Sequence, residues 1–213
     1  TLHGPLPGFT TVPPHDFIGQ DVSSHHQAYF QEEAWAEMLA DAEKILAEHP
    51  VNRRRQDAGL LPANGIWPWG EGTTPTMPSL FERFGITGSM ISAVDLLKGI
   101  GTFGGLDIIN VPGATGFIDT NYEGKAQAAL QALEKQDFVF VHLEAPDESG
   151  HQGSIENKIQ AIEDFDHKIV HRITEELIHK NVDFRAVITM DHFTPISLRT
   201  HTSDPVQTIL FDL

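Results

Sequence analysis

Two acid-and-histidine clusters in this sequence could hold metal ions: EAPDESGH, carrying Asp147 and His151, and DHFTP, carrying Asp191 and His192. Asp147 and His151 are four residues apart around Gly150, a spacing that lets a loop or a first helical turn present a carboxylate and an imidazole to one ion. Asp191 and His192 are adjacent, so both can face one site only from a turn, and the following Phe193, Thr194 and Pro195 favour a turn. A further histidine, His201, lies in the polar stretch SLRTHTSDP. Taken singly, each pair also fits an N-cap aspartate or a histidine bonded to backbone, and His201 fits a solvated loop. Together they supply five nitrogen and oxygen donors in a chain without cysteine, a set that suits manganese, zinc, magnesium or cobalt. Five donors exceed what one tetrahedral ion takes from a protein, so two ions is the economical reading. Two neighbouring divalent ions can stabilise both the entering and the leaving oxygen of a phosphoryl displacement.

The elements that must position these residues are legible from periodicity. FVFVHL (Phe138 to Leu143) and RAVITM (Arg185 to Met190) read as short apolar strands, and each runs directly into one of the clusters. Both clusters therefore fall at the carboxyl ends of strands, the edge at which open parallel sheets bind ligands. Further strands are expected at Ser89 to Val94 and Asp107 to Val111, with a helix between them ending in Gly99 and Gly101. Helices are expected over Leu80 to Phe84, closed by Gly85, and over Glu123 to Lys135. Ser154 to Lys180 reads as one long amphipathic helix with Ile155, Ile159, Ile162, Ile169, Ile173 and Leu177 on a single face. Alternation of strands with helices of this length implies right-handed crossovers: an α/β fold, mainly parallel, with helices on both faces.

Upstream, residues 1–25 are rich in Pro, Gly and His and read as extended chain. From His26 to His49, apolar residues at helical spacing predict one amphipathic helix, which Pro50 ends. Arg53, Arg54 and Arg55 form the densest basic cluster, read from spacing as a solvated turn. The formal charge of −16 arises from 30 acidic against 14 basic residues and disfavours nucleic acid as a partner. No run of 18 apolar residues occurs, so no membrane association is expected, and cytoplasm is a compatible location. The oligomeric state is not indicated. The first residue is Thr rather than Met, and the closing VQTILFDL reads as a buried strand with more protein to follow; the expectation is a fragment.

The segments PPHDFIGQ, HPVNRRR with GLLPAN, ISAVDLLKGIG, VPGATGFIDTNYEGKA, FVFVHLEAPDESGH and DHFTPISLRTHTSDP together resemble the cofactor-independent phosphoglycerate mutases of the archaeal type, within the alkaline phosphatase superfamily. The resemblance implies an incomplete alkaline-phosphatase-like α/β fold, with residues 1–25 the end of an inserted substrate domain and residues 26–213 a partial metal-binding domain. It implies interconversion of 3-phosphoglycerate and 2-phosphoglycerate through a phosphoserine at a two-metal site, with manganese first among the candidate ions and a small phosphorylated three-carbon acid as partner. By motif, Asp147, His151 and His201 would hold one metal and Asp191 and His192 the other. Lys125 in NYEGKA resembles the active-site lysine that neutralises the phosphoryl group, and His15, Asp16, Arg53 and Arg55 resemble substrate-side positions. The family's first-strand aspartate and its nucleophilic serine have no matching segment here, so the chain alone is expected to be inactive. A phosphatase or phosphonate hydrolase, a homoserine kinase, and a catalytically silent metal-binding or interaction domain are the alternatives.

Overall fold

The computed structural model describes residue 4, residues 6–17 and residues 19–213. The chain divides into two compact units, Thr1–Thr74 and Pro75–Leu213. Among the described residues no helix is long and apolar enough to cross a membrane.

In the first unit, a 3-10 turn at Pro14–Phe17 precedes helices α1 (Ser23–Tyr29), α2 (Glu33–Glu48) and α3 (Pro50–Asp57). The single helix expected from His26 to His49 is thus broken near residue 31. Tyr29 and Trp35 are six residues apart, which on an unbroken helix would separate them by about 120°. The break lets both rings enter one aromatic cluster: they meet edge-on at 5.9 Å, and Phe9 and Trp67 pack on Tyr29. Tyr29, only 2% exposed, is the centre of this small core. Pro50 does end a helix, but it also starts the next. It sits in the first turn of α3, where its missing N–H costs nothing, and His49 Nδ1 caps that turn by accepting from Val51 N at 3.3 Å. The Arg53–Arg55 cluster is therefore helical rather than a turn.

The second unit opens with α4 (Leu80–Phe84), which Ser79 and Glu82 close with a reciprocal capping box and Gly85 terminates at φ 70°. Strands β1 (Gly88–Ile91), β2 (Asp107–Ile109) and β3 (Phe138–Val141) form a parallel sheet in the order β2-β1-β3. Helix α5 (Asp95–Phe103) connects β1 to β2, and α6 (Tyr122–Leu133) connects β2 to β3. Helix α5 runs through both Gly99 and Gly101 instead of ending there. A Cβ on Gly101 would lie 2.8 Å from Met90 Sδ and from Ile108 Cδ1, so glycine is what lets this helix approach the sheet. Helix α6 presents Tyr122 and Ala126 to Val141 on the opposite face, with Ile169 and Ile173 completing the cluster. In-register neighbours Met90–Ile108 and Ile91–Val141 mark these as the two faces of one sheet, so helices cover both, as expected from the pattern.

Beyond β3 come α7 (Ala145–Gln152), α8 (Ile155–Phe165), a π-helical segment at Asp166–His171, and α9 (Arg172–His179). The π turn explains why the six expected core residues do not share a face. Widening one turn by a residue moves later side chains by about 100°. Accordingly Ile169 and Leu177 are buried and Ile173 packs beside Ile169, whereas Ile155, Ile159 and Ile162 are exposed.

Strand β4 (Arg185–Thr189) pairs with β5 (Thr208–Asp212) in an antiparallel ribbon, not in the parallel sheet. The link over 190–207 contains no crossover helix, so the returning strand runs antiparallel. The closing strand is largely exposed rather than buried: Ile209 and Leu210 are 58% and 63% accessible.

Candidate metal centre

Pro146 lies in the first turn of α7, pre-setting the backbone just beyond β3, and the helix places Asp147 and His151 one turn apart on one side. His151 Nε2 stands 3.3 Å from Asp147 Oδ2. After β4 the chain turns sharply, with His192 N donating to Asp191 Oδ1 at 3.0 Å. A bridge between Phe193 and Thr202, where Thr202 N donates to Phe193 O at 3.0 Å, then folds His201 back over His192. The two rings stack with centroids 3.7 Å apart.

Four of the expected donors, Asp147, His151, His192 and His201, lie together, and Asp191 adjoins them through His192. His151 Nε2 and His201 Nε2 are 3.0 Å apart, and His201 Nε2 is 3.5 Å from Asp147 Oδ1. His151 and His201 thus face different oxygens of one carboxylate, and imidazoles gathered on a carboxylate are a donor chemistry that fits a divalent ion. His192 sits between the groups: its Nδ1 is 4.0 Å from Asp147 Oδ1 and its Nε2 is 3.3 Å from Asp191 Oδ2. Asp147, His192 and His201 also offer donor atoms that all lie within 4.8 Å of one another. Asp147 is the shared centre, 26% exposed, whereas Asp191 is 77% exposed and meets His192. Burial, reinforced by His192 alongside, holds the His201 imidazole below its usual pKa, against the pull of Asp147.

Supporting contacts come from Thr194 and Gly150, which the sequence marks only as a turn residue and a spacer, and from Lys158. The buried Thr194 hydroxyl donates to Asp147 Oδ1 in a short contact, and its carbonyl accepts from Lys158 Nζ at 2.7 Å. Gly150 makes this meeting possible, because a Cβ there would lie 2.4 Å from Thr194 O. The signal for Gly150 was its place between Asp147 and His151, and for Thr194 its position two residues after His192; nothing in the spacing pointed to Lys158.

Lys125 lies on α6 at 1% exposure, and its ammonium donates to His142 O at 3.0 Å, where β3 ends. Burial pushes its pKa down while Glu144 pulls it up. Glu144, in turn, is raised by burial and by the neighbouring carboxylates Glu148 and Asp147. His142 Nδ1 is 3.3 Å from the buried Ser92 Oγ, which accepts from Val94 N at 3.0 Å. This buried polar group closes the carboxyl ends of β1 and β3 beneath the donors.

The remaining predicted residues belong to the first unit. His15 and Asp16 fall in the 3-10 turn, and their side chains lie outside the described residues. Arg53 and Arg55 are exposed on α3, where Arg55 Nε donates to Leu61 O at 2.8 Å.

The chain is 50% identical over 204 residues to a probable 2,3-bisphosphoglycerate-independent phosphoglycerate mutase of Geobacter sulfurreducens, covering 96% of this chain and 51% of that protein. A mutase of the same name from Methanosarcina mazei is 48% identical over 195 residues, covering 92% of this chain and 49% of that one. The chain thus spans about half the length of the curated relatives it matches. The solved structure of the PH0037 protein from Pyrococcus horikoshii superimposes with a TM-score of 0.68 at 31% identity, covering 87% of this chain and 49% of the other. Residues 15–212, a span that includes every donor described above, match the family described as the Metalloenzyme superfamily, and the chain belongs to it.

Proposed function

We propose that this chain is the metal-binding portion of a cofactor-independent phosphoglycerate mutase, which interconverts 3-phosphoglycerate and 2-phosphoglycerate through a phosphoserine with two divalent ions. The observation that carries the reading is the convergence of Asp147, His151 and His201 at 3.0–3.5 Å, with the Asp191–His192 pair adjoining, in a chain about half identical to proteins named as such mutases. Asp147, His151 and His201 would hold one ion and Asp191 with His192 the other, manganese being the first candidate. Bound there, divalent ions would offset the negative charge that builds on phosphoryl oxygens.

The chain's own residues have definable parts in this proposal. Lys125, held by the His142 carbonyl, adds a fixed positive charge at the sheet edge on the phosphoryl side. His15, Asp16, Arg53 and Arg55 would face substrate, the guanidinium fork being suited to carboxylate and phosphate, with residues 1–25 the end of an inserted substrate domain and residues 26–213 the metal-binding domain. Positive charge concentrated in this way would let a protein of charge −16 bind a small phosphorylated acid, in keeping with a cytoplasmic glycolytic role. Ser92 is unsuited to attack, because its hydroxyl is buried and already engaged with Val94 N and His142. This proposal assigns the nucleophile to none of the motifs recognised in these residues.

A hybrid provides the test. These residues would replace the matching 204-residue stretch of the Geobacter relative, and conversion of 3-phosphoglycerate would be followed with manganese. Metal-dependent mutase activity is expected, absent when the hybrid carries Asp147→Ala. A folded, metal-loaded hybrid without mutase activity would sink the reading.

A further inference from the structure

His151 has two ring nitrogens, and the structure gives them different partners. Nε2 faces Asp147 and His201 at 3.3 and 3.0 Å, while Nδ1 lies 2.9 Å from the main-chain carbonyl of Arg199. A carbonyl only accepts, so Nδ1 carries a proton, which leaves Nε2 as the ring atom available to an ion. Arg199 can aim that carbonyl because its backbone is in the left-handed region at φ 55°, one of two non-glycine residues so placed among those described. Such a conformation is disfavoured for a residue with a Cβ and persists only where its surroundings impose it.

The surroundings are visible. Pro195 O accepts from both Leu198 N and Arg199 N, at 3.0 and 2.8 Å, closing a tight turn. The Arg199 guanidinium then lies across Gly153, the left-handed residue that ends α7, so closely that a Cβ there would be 2.4 Å from Arg199 Nε. Each of these two residues restricts the other, and His151 sits two positions before Gly153 on the same helix end.

We propose that Arg199 is a positioning residue for the metal centre: its left-handed main chain, not its side chain, fixes the tautomer and orientation of His151 through the carbonyl. The role of an outer partner that orients a ligating imidazole is a general one in metal sites, and its loss commonly weakens metal binding about 10–100-fold. The proposal rests on the metal reading of the donor cluster given above, and sequence spacing gave no hint of it.

The experiment compares the 213-residue chain with Arg199→Gly and Arg199→Val. Glycine adopts the left-handed conformation freely and keeps the carbonyl, whereas a β-branched residue resists it. Manganese and zinc affinity would be measured by competition with a chromophoric chelator. Long-range 15N–1H correlation spectra of the imidazoles, assigned by loss of a signal in His151→Gln, would report the His151 tautomer without any metal. Expected are an Nδ1–H tautomer in the parent chain, affinity within about threefold of parent for Arg199→Gly, and about 10–100-fold weaker binding for Arg199→Val. An Nε2–H tautomer in the parent chain overturns the proposal, as does Arg199→Gly binding metal as weakly as Arg199→Val, or folded Arg199→Val binding as tightly as parent. Should Arg199→Val not fold, the tautomer and the glycine variant decide. If the parent binds no metal, the functional reading fails on its own account, while the tautomer still judges Arg199.

Discussion

The two strand systems of the second unit present their donors in different ways. Behind Asp147 and His151 stands a parallel sheet in which Ile91 is fully buried and Ser89 and Met90 are 2% and 6% exposed. Behind Asp191 and His192 stands a two-stranded ribbon whose Val187 and Leu210 are 60% and 63% exposed. The donors nevertheless converge to within a few ångströms. What registers the second pair against the first is therefore not strand packing. It is a small set of cross-ties between turn and helix: Thr194 to Asp147, Lys158 to Thr194, and the close approach at Gly150. The site's geometry is set locally, at the loops, with one rigid support and one open one.

The sharpest way to break this comparison is at the donors themselves. Asp147→Ala removes the carboxylate that faces His151, His192 and His201, and should weaken manganese binding at least about 100-fold, whereas Asp191→Ala should cost about tenfold, both measured by chelator competition. Equal losses would show that the two supports contribute alike. Next in size is the strand contrast: Ile91→Ala should cost about 2–5 kcal/mol in urea denaturation and Leu210→Ala under about 1 kcal/mol. Comparable costs would mean the ribbon is as firmly packed in solution as the sheet.

Gly150→Ala probes the cross-tie. Its Cβ would press on a backbone oxygen, which cannot swing aside like a side chain, so about 1–3 kcal/mol of stability should be lost together with metal affinity. Stability loss with unchanged affinity would separate the cross-tie from the site. The smallest effect concerns pH. Burial lowers the pKa of His142 from the usual 6.5, so the unfolded chain takes up its proton first as pH falls. The stabilisation is complete above pH 6.5 and declines as the pH drops toward the folded value. Urea midpoints of the metal-free chain should fall between pH 7.5 and 5.5, and His142→Gln should flatten that slope; an unchanged slope would place the titration elsewhere.

Much of this arrangement was readable in the sequence because it depends on local pattern. The strands FVFVHL and RAVITM announced themselves by β-branched and aromatic content, and the acid-histidine clusters directly after them followed from adjacency alone. Gly85 ended α4 by chemistry that acts over a few residues. What escaped the sequence was long-range. The antiparallel return of Thr208–Asp212 depends on the missing crossover helix, and the close packing of helical Gly101 depends on Met90 and Ile108 in the sheet. Arg199 was invisible because its contribution to His151 comes from a main-chain oxygen, which every residue type carries.

The π segment at Asp166–His171 separates α8, which carries Lys158, from α9. A uniform spiral would keep the isoleucines of α8 and α9 in phase; the wider coil lets one rod face inward at its far end while its near end delivers Lys158 to Thr194. Deleting a single residue there would rewind the rod and swing Lys158 by about 100°. Apart from the buried Ile169, that stretch contributes a count rather than an identity: substitutions at its exposed positions should be tolerated far better than any change in its length.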